Sequence, residues 1–301
     1  MNNTVHVHFL LEVEDSNPNG DANTGQPRLT DNYNKGFITD VCIKRRIREY
    51  LSNNGVPIYF RNDEFRDDQK KHMSVEYKRQ KSEEGYTGTF SEFILDNYVD
   101  ARAFGVAPGI AGIESAQAGM SFMRKNKTIN NIVVEDIDIT GIRNKENAKD
   151  TDGDKDNDSN ESTTYSTFGS FSLVNFGLYR GDISIAKKYA DSNKLTNDDI
   201  NVIVHALANC FEENMNCTKQ GIRCVAIFVV SSSMYKNCRK VFDYADRFKD
   251  QHEGENLTPT SKDDVVLNLD ELPFDAEIYS YDFKNSFNEG KAVFKHGISL
   301  R

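Results

Sequence analysis

"EDSNPNGDANTGQPRLTDNYNKGFITDVCIKRRIREYL" runs from Glu14 to Leu51. Its first half is built from Asn, Pro, Gly and Asp, each of which favours turns for its own conformational reason. Its second half ends with four basic residues in five, Lys44, Arg45, Arg46 and Arg48. The spacing of Ile43, Ile47, Tyr50 and Leu51 predicts a helix over 37–53 with those residues toward the core. Lys44, Arg45 and Arg48 then fall together on another face. Asn53-Asn54-Gly55 stops the helix. Upstream, VHVHFLLEV at 5–13 reads as a strand with Val5, Val7, Phe9 and Leu11 on one face and His6 and His8 on the other. The chain therefore opens as strand, elaborate loop, basic helix.

Working outward, 98–106 (YVDARAFGV) reads as a strand. The segment 105–120 is rich in glycine and reads as an insertion. Strand-like runs follow over 120–142 and 165–185. Thr196 starts a helix with a T-x-x-D capping pattern, and Ile200, Val204, Leu207, Phe211 and Met215 form its apolar stripe. IRCVAIFVV at 222–230 is a continuous apolar strand, suited to a central position. EIYSYDF and KAVFKHGI add strand-like runs near the end. The order is β-α-β-β-α-β. We therefore expect an α+β fold: one modified ferredoxin-like domain over 1–301, the order that RNA-recognition domains also use. It carries a helical, polar insertion at 56–97, a flexible acidic insertion at 105–165 and a C-terminal extension at 231–301.

The chain is acidic, with a net charge of −10 over 301 residues. That balance argues against a polyanion partner only if the charge is evenly spread. Residues 135–161 hold ten acids and four bases, and residues 253–277 hold eight acids and one base, which leaves the remainder at +3. Local field rather than total charge steers a polyanion. No apolar run approaches the roughly 18 residues of a membrane span. The start of the chain lacks a basic n-region and a cleavage site, so we expect a cytoplasmic protein without a membrane partner. The five cysteines are Cys42, Cys210, Cys217, Cys224 and Cys238. None forms a C-x-x-C pair, which fits reduced, small apolar residues.

Catalytic signatures are absent: no Walker loop, no G-x-S-x-G, no H-E-x-x-H, no zinc spacing. We expect no catalytic residue, no resident metal and no cofactor. His6 and His8 have a spacing that suits a metal but lack an evident third ligand. Asp150, Asp152, Asp154 and Glu161 partly match a calcium loop, with Lys155 where the motif needs glycine. Asp15, Asp21 and Asp40 suit either a magnesium ion or turn and cap duties. The opening loop makes better sense as a surface for a phosphate backbone. Asn17, Asn19 and Gly20 favour sharp turns that expose amides, and Arg28 and Lys35 add charge. The helix start attracts anions, and Lys44, Arg45 and Arg48, with Arg102 on the neighbouring strand, extend the positive face. An ordinary solvated helix is the competing reading.

These residues resemble a known family. S-N-P-N-G-D at 16–21, P-R at 27–28, and a glycine leading into I-T-D-V-C-I-K-R-R-I-R-E-Y-L at 38–51 resemble the N-terminal signature of the backbone subunit of CRISPR type I Cascade complexes. That subunit belongs to the RAMP superfamily, and the type I-C version is most similar. V-D-A-R-A-F-G at 99–105, V-N-F-G-L-Y-R-G at 174–181 and L-T-N-D-D-I at 195–200 continue the likeness in order. The resemblance implies a hand-like RNA-recognition fold. Copies stack along one crRNA beside other Cascade subunits, and a thumb-like insertion displaces a base at intervals so that the remainder pair with target DNA. It implies no cutting. The alternative within the superfamily is a metal-dependent endoribonuclease acting on complementary RNA. A generic RNA-recognition module is a further alternative, but its Lys/Arg-Gly-aromatic signature is absent. Carried onto this sequence, the RNA contacts are Asn17, Asn19, Gly20, Arg28, Lys35, Lys44, Arg45, Arg48 and Arg102. Met120, Phe122 and Met123 are the candidates for the base-displacing wedge. One departure stands out: the family's G-x-R-G-P-V run is replaced at 112–120 by G-I-E-S-A-Q-A-G-M.

Overall fold

The computed structural model describes residues 3–30, 34–60, 66–106, 116–143, 165–213, 218–233 and 276–296. The partial calcium motif, the acidic stretches within 144–164 and 234–275, Met215, Cys217 and Cys238 lie outside them. In chain order the elements are β1 (Thr4–Ser16), β2 (Phe37–Thr39), α1 (Asp40–Asn53), α2 (Arg66–Glu83), α3 (Phe90–Asn97), α4 (Val99–Phe104), β3 (Ser121–Phe122), β4 (Lys125–Lys127) and β5 (Val134–Arg143). They continue as β6 (Tyr165–Ile185), α5 (Lys187–Ser192), α6 (Asn197–Glu213), β7 (Ile222–Ser232), β8 (Glu277–Tyr281), α7 (Phe283–Glu289) and β9 (Phe294–His296).

Seven strands form one antiparallel sheet in the order β3-β6-β1-β7-β8-β9, with β5 also on β6. At 21 residues β6 is long enough to serve three partners, with β3 pairing at Ile183 and Ser184. Its first half pairs with β5 from Tyr165↔Arg143 to Val174↔Val134, and its second half pairs with β1 from Val174↔Ser16 to Ile185↔Val5. The alternation read at 5–13 holds. Val7, Phe9, Leu11 and Val13 join the main core, where Ile43, Ile47 and Leu51 of α1 and Ile200, Val204, Leu207 and Phe211 of α6 also lie. Phe9 faces Gly181 so closely that a Cβ there would stand 2.0 Å from its ring, so only glycine fits. Leu10 points the other way, into a smaller cluster with Leu178, Phe228, Val230 and Ile278. Burying each such side chain contributes about 1.5–3 kcal/mol.

The predicted helix over 37–53 begins three residues later. Phe37–Thr39 pairs with β4 instead, and the Thr39 hydroxyl caps α1 by accepting from the Cys42 amide. The capping pattern at Thr196 is present in full: its hydroxyl accepts from the Asp199 amide at 3.1 Å, and the Asp199 carboxylate accepts from the Thr196 amide at 2.8 Å.

The strand expected at 98–106 is a correction. Val99–Phe104 is a helix, ended by Gly105 at φ 82°. Val99, Ala101 and Ala103 are all buried, which gave the sequence a period of two. But Asp100 between them is buried as well, while Arg102 and Phe104 are partly buried, so burial does not follow the alternation of a strand. Six residues are too few for the helical period to show. The polar stretch 56–97 forms α2 and α3 and shares with α4 a separate cluster of Phe93, Ile94, Ala101 and Val106, ringed by Tyr59, Tyr77, Tyr86, Phe90 and Tyr98. No helix among the described residues is long and apolar enough to cross a membrane.

Candidate nucleic-acid interface

The opening loop closes on itself. Asn17 is buried, and its Nδ2 donates to the carbonyls of Gly25 at 2.8 Å and Ser172 at 3.3 Å. Asn19 Oδ1 accepts from the Thr39 amide at 2.9 Å and its hydroxyl at 3.1 Å, so the loop is tied to the cap of α1. Gly20 bridges Pro27, and a Cβ on it would stand 2.9 Å from the Gly25 carbonyl oxygen. The amides of Asp21, Gly25 and Arg28 donate to carbonyls within the loop. The asparagines therefore shape the loop from inside; residues 22–26 are exposed, and Arg28 is half-buried, held 3.0 Å from Asp21. Lys35 donates to the Ile129 carbonyl. Asp21 accepts from the Asn23 amide in a turn, and Asp40 sits in the first turn of α1, where it pairs with Lys44. Among the described residues no cluster of three or more His, Cys, Asp or Glu side chains is placed to hold a metal.

Helix α1 divides its charges between two flanks, whereas the spacing placed Lys44, Arg45 and Arg48 together. Lys44 and Arg48 turn toward aromatic rings. Lys44 pairs with Asp40 at 3.0 Å and lies 5.3 Å from the Phe122 ring centre. Arg48 donates to Asp100 at 2.8 Å and lies 4.8 Å from Phe104 and 5.4 Å from Phe60. Arg45 and Arg46 line a different space, a groove of about 1080 Å³ bounded also by Asn19, Gly20, Arg28, the first turn of α1 and Lys219. Glu49 and Glu213 lie along it, and Glu49 pairs with Arg45 at 2.7 Å and Arg46 at 3.8 Å. Burial, together with the nearby charges of Arg46 and Arg45, lowers the Lys219 pKa. Lys219 is thus partly withdrawn from water beside two guanidinium groups and the Glu49 carboxylate.

Sequence reasoning missed Arg46 and Lys219. Arg46 stood in the basic run and was passed over because helical spacing assigned its neighbours to the outer face. Lys219 lies in the turn before β7, which is tied to the end of β1 and the opening loop: the Asn17 amide donates to the Thr218 carbonyl at 2.7 Å and the Gly221 amide to Ser16 Oγ at 2.8 Å. No local pattern signals it.

Arg102 lies on α4. Its guanidinium forks onto Asp199 at 2.9 and 2.6 Å and onto the carbonyls of Leu95 at 2.7 Å and Asp96 at 3.2 Å. Burial pushes the Asp199 carboxyl up, but Arg102 and the Thr196 amide outweigh it and hold it below its usual range. The wedge candidates also differ from expectation. Met120 and Phe122 are 1% and 8% exposed and belong to the main core, with Phe122 edge-on to Phe104 at 5.5 Å. A wedge must project from the surface, and these two do not. Met123 is half-buried, with its amide on the Asp182 carbonyl.

His6 and His8 do acquire a common partner. His6 Nε2 and His8 Nδ1 donate to the same Asp182 oxygen at 3.1 and 2.7 Å. Burial lowers the His8 pKa, which favours the neutral ring. Both rings thus meet one carboxylate inside the fold.

The family model for CRISPR-associated protein Cas7 matches residues 3–270, which is most of the chain and all of the groove. The chain belongs to the Cas7 family. A CRISPR-associated protein Cas7 from Haloferax volcanii is 35% identical over 65 residues, 21% of this chain and 19% of that protein. The match thus spans about a fifth of that relative's length. Two solved chains are also similar. One, from a "CRISPR RNA-guided surveillance complex, pre-nicking", has 13% identity and a TM-score of 0.46 over 88% of this chain and 95% of that one. Another, from a "CRISPR RNA-guided surveillance complex", has 15% identity and a TM-score of 0.43 over 86% and 92%. Within this Cas7 chain the D-A-R-A-F-G element acts through its own fold: Asp100 holds Arg48, and Arg102 joins α3 to α6.

Proposed function

We propose that this Cas7 chain is a non-catalytic, cytoplasmic guide-RNA-binding subunit of a type I Cascade of the I-C kind. Several copies follow one crRNA and support recognition of target DNA beside other Cascade subunits. The observation that carries this is the groove: Arg28, Arg45, Arg46 and Lys219 converge on the start of α1, held by a loop whose asparagines are spent on internal bonds. Such a surface grips phosphates without reading bases. The arrangement β5-β6-β1-β7, with α1 and α6 in the core on one side, supports the RNA-recognition reading of the fold. In place of Met120 and Phe122, the β5–β6 ribbon suits the base-displacing role, because Ile137 and Ile139 on it stay 41% and 48% exposed.

The test is guide-RNA binding over a salt series. Affinity should fall steeply between 50 and 200 mM salt as counterions are released, by about a tenfold factor for every two phosphates held. An unrelated RNA of equal length should bind within a few-fold. Arg46→Glu with Lys219→Glu should remove most of the binding. Binding indifferent to salt and to both changes would refute the reading.

A further inference from the structure

A second run of positive charge lies beside α1, outside the groove. β4 and its flank read Met123-Arg124-Lys125-Asn126-Lys127, three bases in four residues from Arg124 on. Because side chains alternate across a strand, Lys125 and Lys127 share a face and stand about 6.6 Å apart along it. Both are exposed, and the Arg124 side chain is 87% exposed. Among the described residues Asp40 is the acid that reaches this strip, 3.6 Å from Arg124, and it is already paired with Lys44. Neither Lys125 nor Lys127 pairs with a carboxylate among the described residues.

The strip is also tied into the fold by its backbone. Lys125 and Lys127 lie opposite Thr39 and Phe37 in the β2–β4 pair. Asn126, between them, is wholly buried and donates to the carbonyls of Ile38 at 2.9 Å and Met123 at 3.2 Å. The Lys125 ammonium rests 4.7 Å from the centre of the Phe37 ring. Thr39, the partner of Lys125, also lines the groove and caps α1. Strip and groove therefore meet at one residue.

We propose that Arg124, Lys125 and Lys127 form a second phosphate-gripping surface that holds a nucleic-acid backbone by charge alone, continuing beyond the groove. This rests on the nucleic-acid reading above. Its ligand is a phosphodiester chain, either a further stretch of the guide or a strand of the DNA presented to the guide-loaded particle. An acidic segment of a neighbouring copy is the competing occupant. The linear spacing of the charges and their junction with the groove at Thr39 favour a backbone.

The test replaces Arg124, Lys125 and Lys127 with Gln in the full chain, with the groove variant Arg46→Glu/Lys219→Glu in parallel. Slopes of log affinity against log salt are read for guide RNA on the protein and for duplex DNA on the guide-loaded particle. Losing three phosphate contacts should lower the slope by about 2 on RNA, or by somewhat more on duplex DNA. A drop on the RNA arm assigns the strip to the guide, and a drop on the DNA arm alone assigns it to the target; either supports the proposal. Unchanged slopes on both arms overturn it. So does a variant with unchanged slopes that carries fewer copies per guide, since the strip would then face the next copy. Failure of the groove variant to lose RNA, with the strip slopes still falling, would overturn the groove reading and leave the strip standing. A melting point close to the wild type's confirms that the Gln variant is folded; single Lys127→Gln, with a slope change of about 0.7, serves if the triple variant melts early.

Discussion

Arg48 donates its Nε to Asp100 across 2.8 Å, and the Asp100 side chain is wholly buried. The same carboxylate accepts from the amides of Tyr59 at 2.6 Å and Phe60 at 3.2 Å. One acid thus fixes α1, α4 and the segment after α1 to one another. Removing a partner from a buried pair costs about 3–5 kcal/mol, because the remaining charge or dipoles are left unanswered. Arg48→Ala should therefore lower the melting temperature by roughly 10 °C, as read by calorimetry. A variant that melts like the wild type but loses RNA would instead make Arg48 a direct contact.

Arg102 offers a sharper test of geometry. Its planar fork meets two Asp199 oxygens and two carbonyls at once. Lysine keeps the charge but cannot reproduce the fork. Arg102→Lys should be destabilised nearly as much as Arg102→Ala, by about 2–4 kcal/mol in denaturant unfolding. Full rescue by lysine would mean that charge alone matters there.

Acid should destabilise the chain in two steps. Burial lowers the His8 pKa from its ordinary 6.5, so the unfolded chain takes up a proton that the folded chain refuses. Stability is thus present above about pH 6.5 and declines as the pH falls below it. Asp182 and Asp199 are both buried enough to be pushed up, yet their partners hold them below the ordinary value of 3.8. Their contribution is present above that value and is lost as pH falls through the depressed one. Denaturant midpoints should fall between pH 7 and 5, and His8→Gln, which keeps a donor for Asp182, should flatten that fall. A wild-type midpoint that rises on acidification would contradict the assignment of a neutral His8.

Much of this was legible in the sequence, for physical reasons that differ by element. The alternation of β1 and the long apolar run of β7 set up the sheet centre. The capping pair Thr196 and Asp199 fixed the start of α6. The helix α4 was not legible, because its alternating Val and Ala residues mimic a strand. The opening loop was legible as a turn-rich segment, but Asn17 and Asn19 turn inward, which no composition reveals. Lys219 reaches the groove through a turn bonded to the distant end of β1, a long-range contact with no local pattern. Met120 and Phe122 look like a wedge in a glycine-rich segment, yet they are spent on the core.

The acidic stretch within 144–164 should be dispensable for guide binding, since the groove and the strip lie elsewhere in the chain. Deleting 146–160 should change guide-RNA affinity by no more than a few-fold in a fluorescence titration. A large loss would place that stretch in the interface.

The loaded particle should also leave RNA intact. Incubated with complementary RNA and magnesium, it should yield no defined fragments on a gel. Defined cleavage that disappears in an Asp→Ala variant would make the chain the endoribonuclease.

The central claim is best tested by light scattering coupled to size exclusion, with a labelled guide RNA, on the wild type and on Arg45→Glu/Arg46→Glu/Lys219→Glu. The account predicts a wild-type particle of several copies on one RNA and a monomeric, RNA-free variant that still melts cooperatively. A wild-type chain that stays monomeric and free of RNA, or a variant that assembles as well as the wild type, would contradict it.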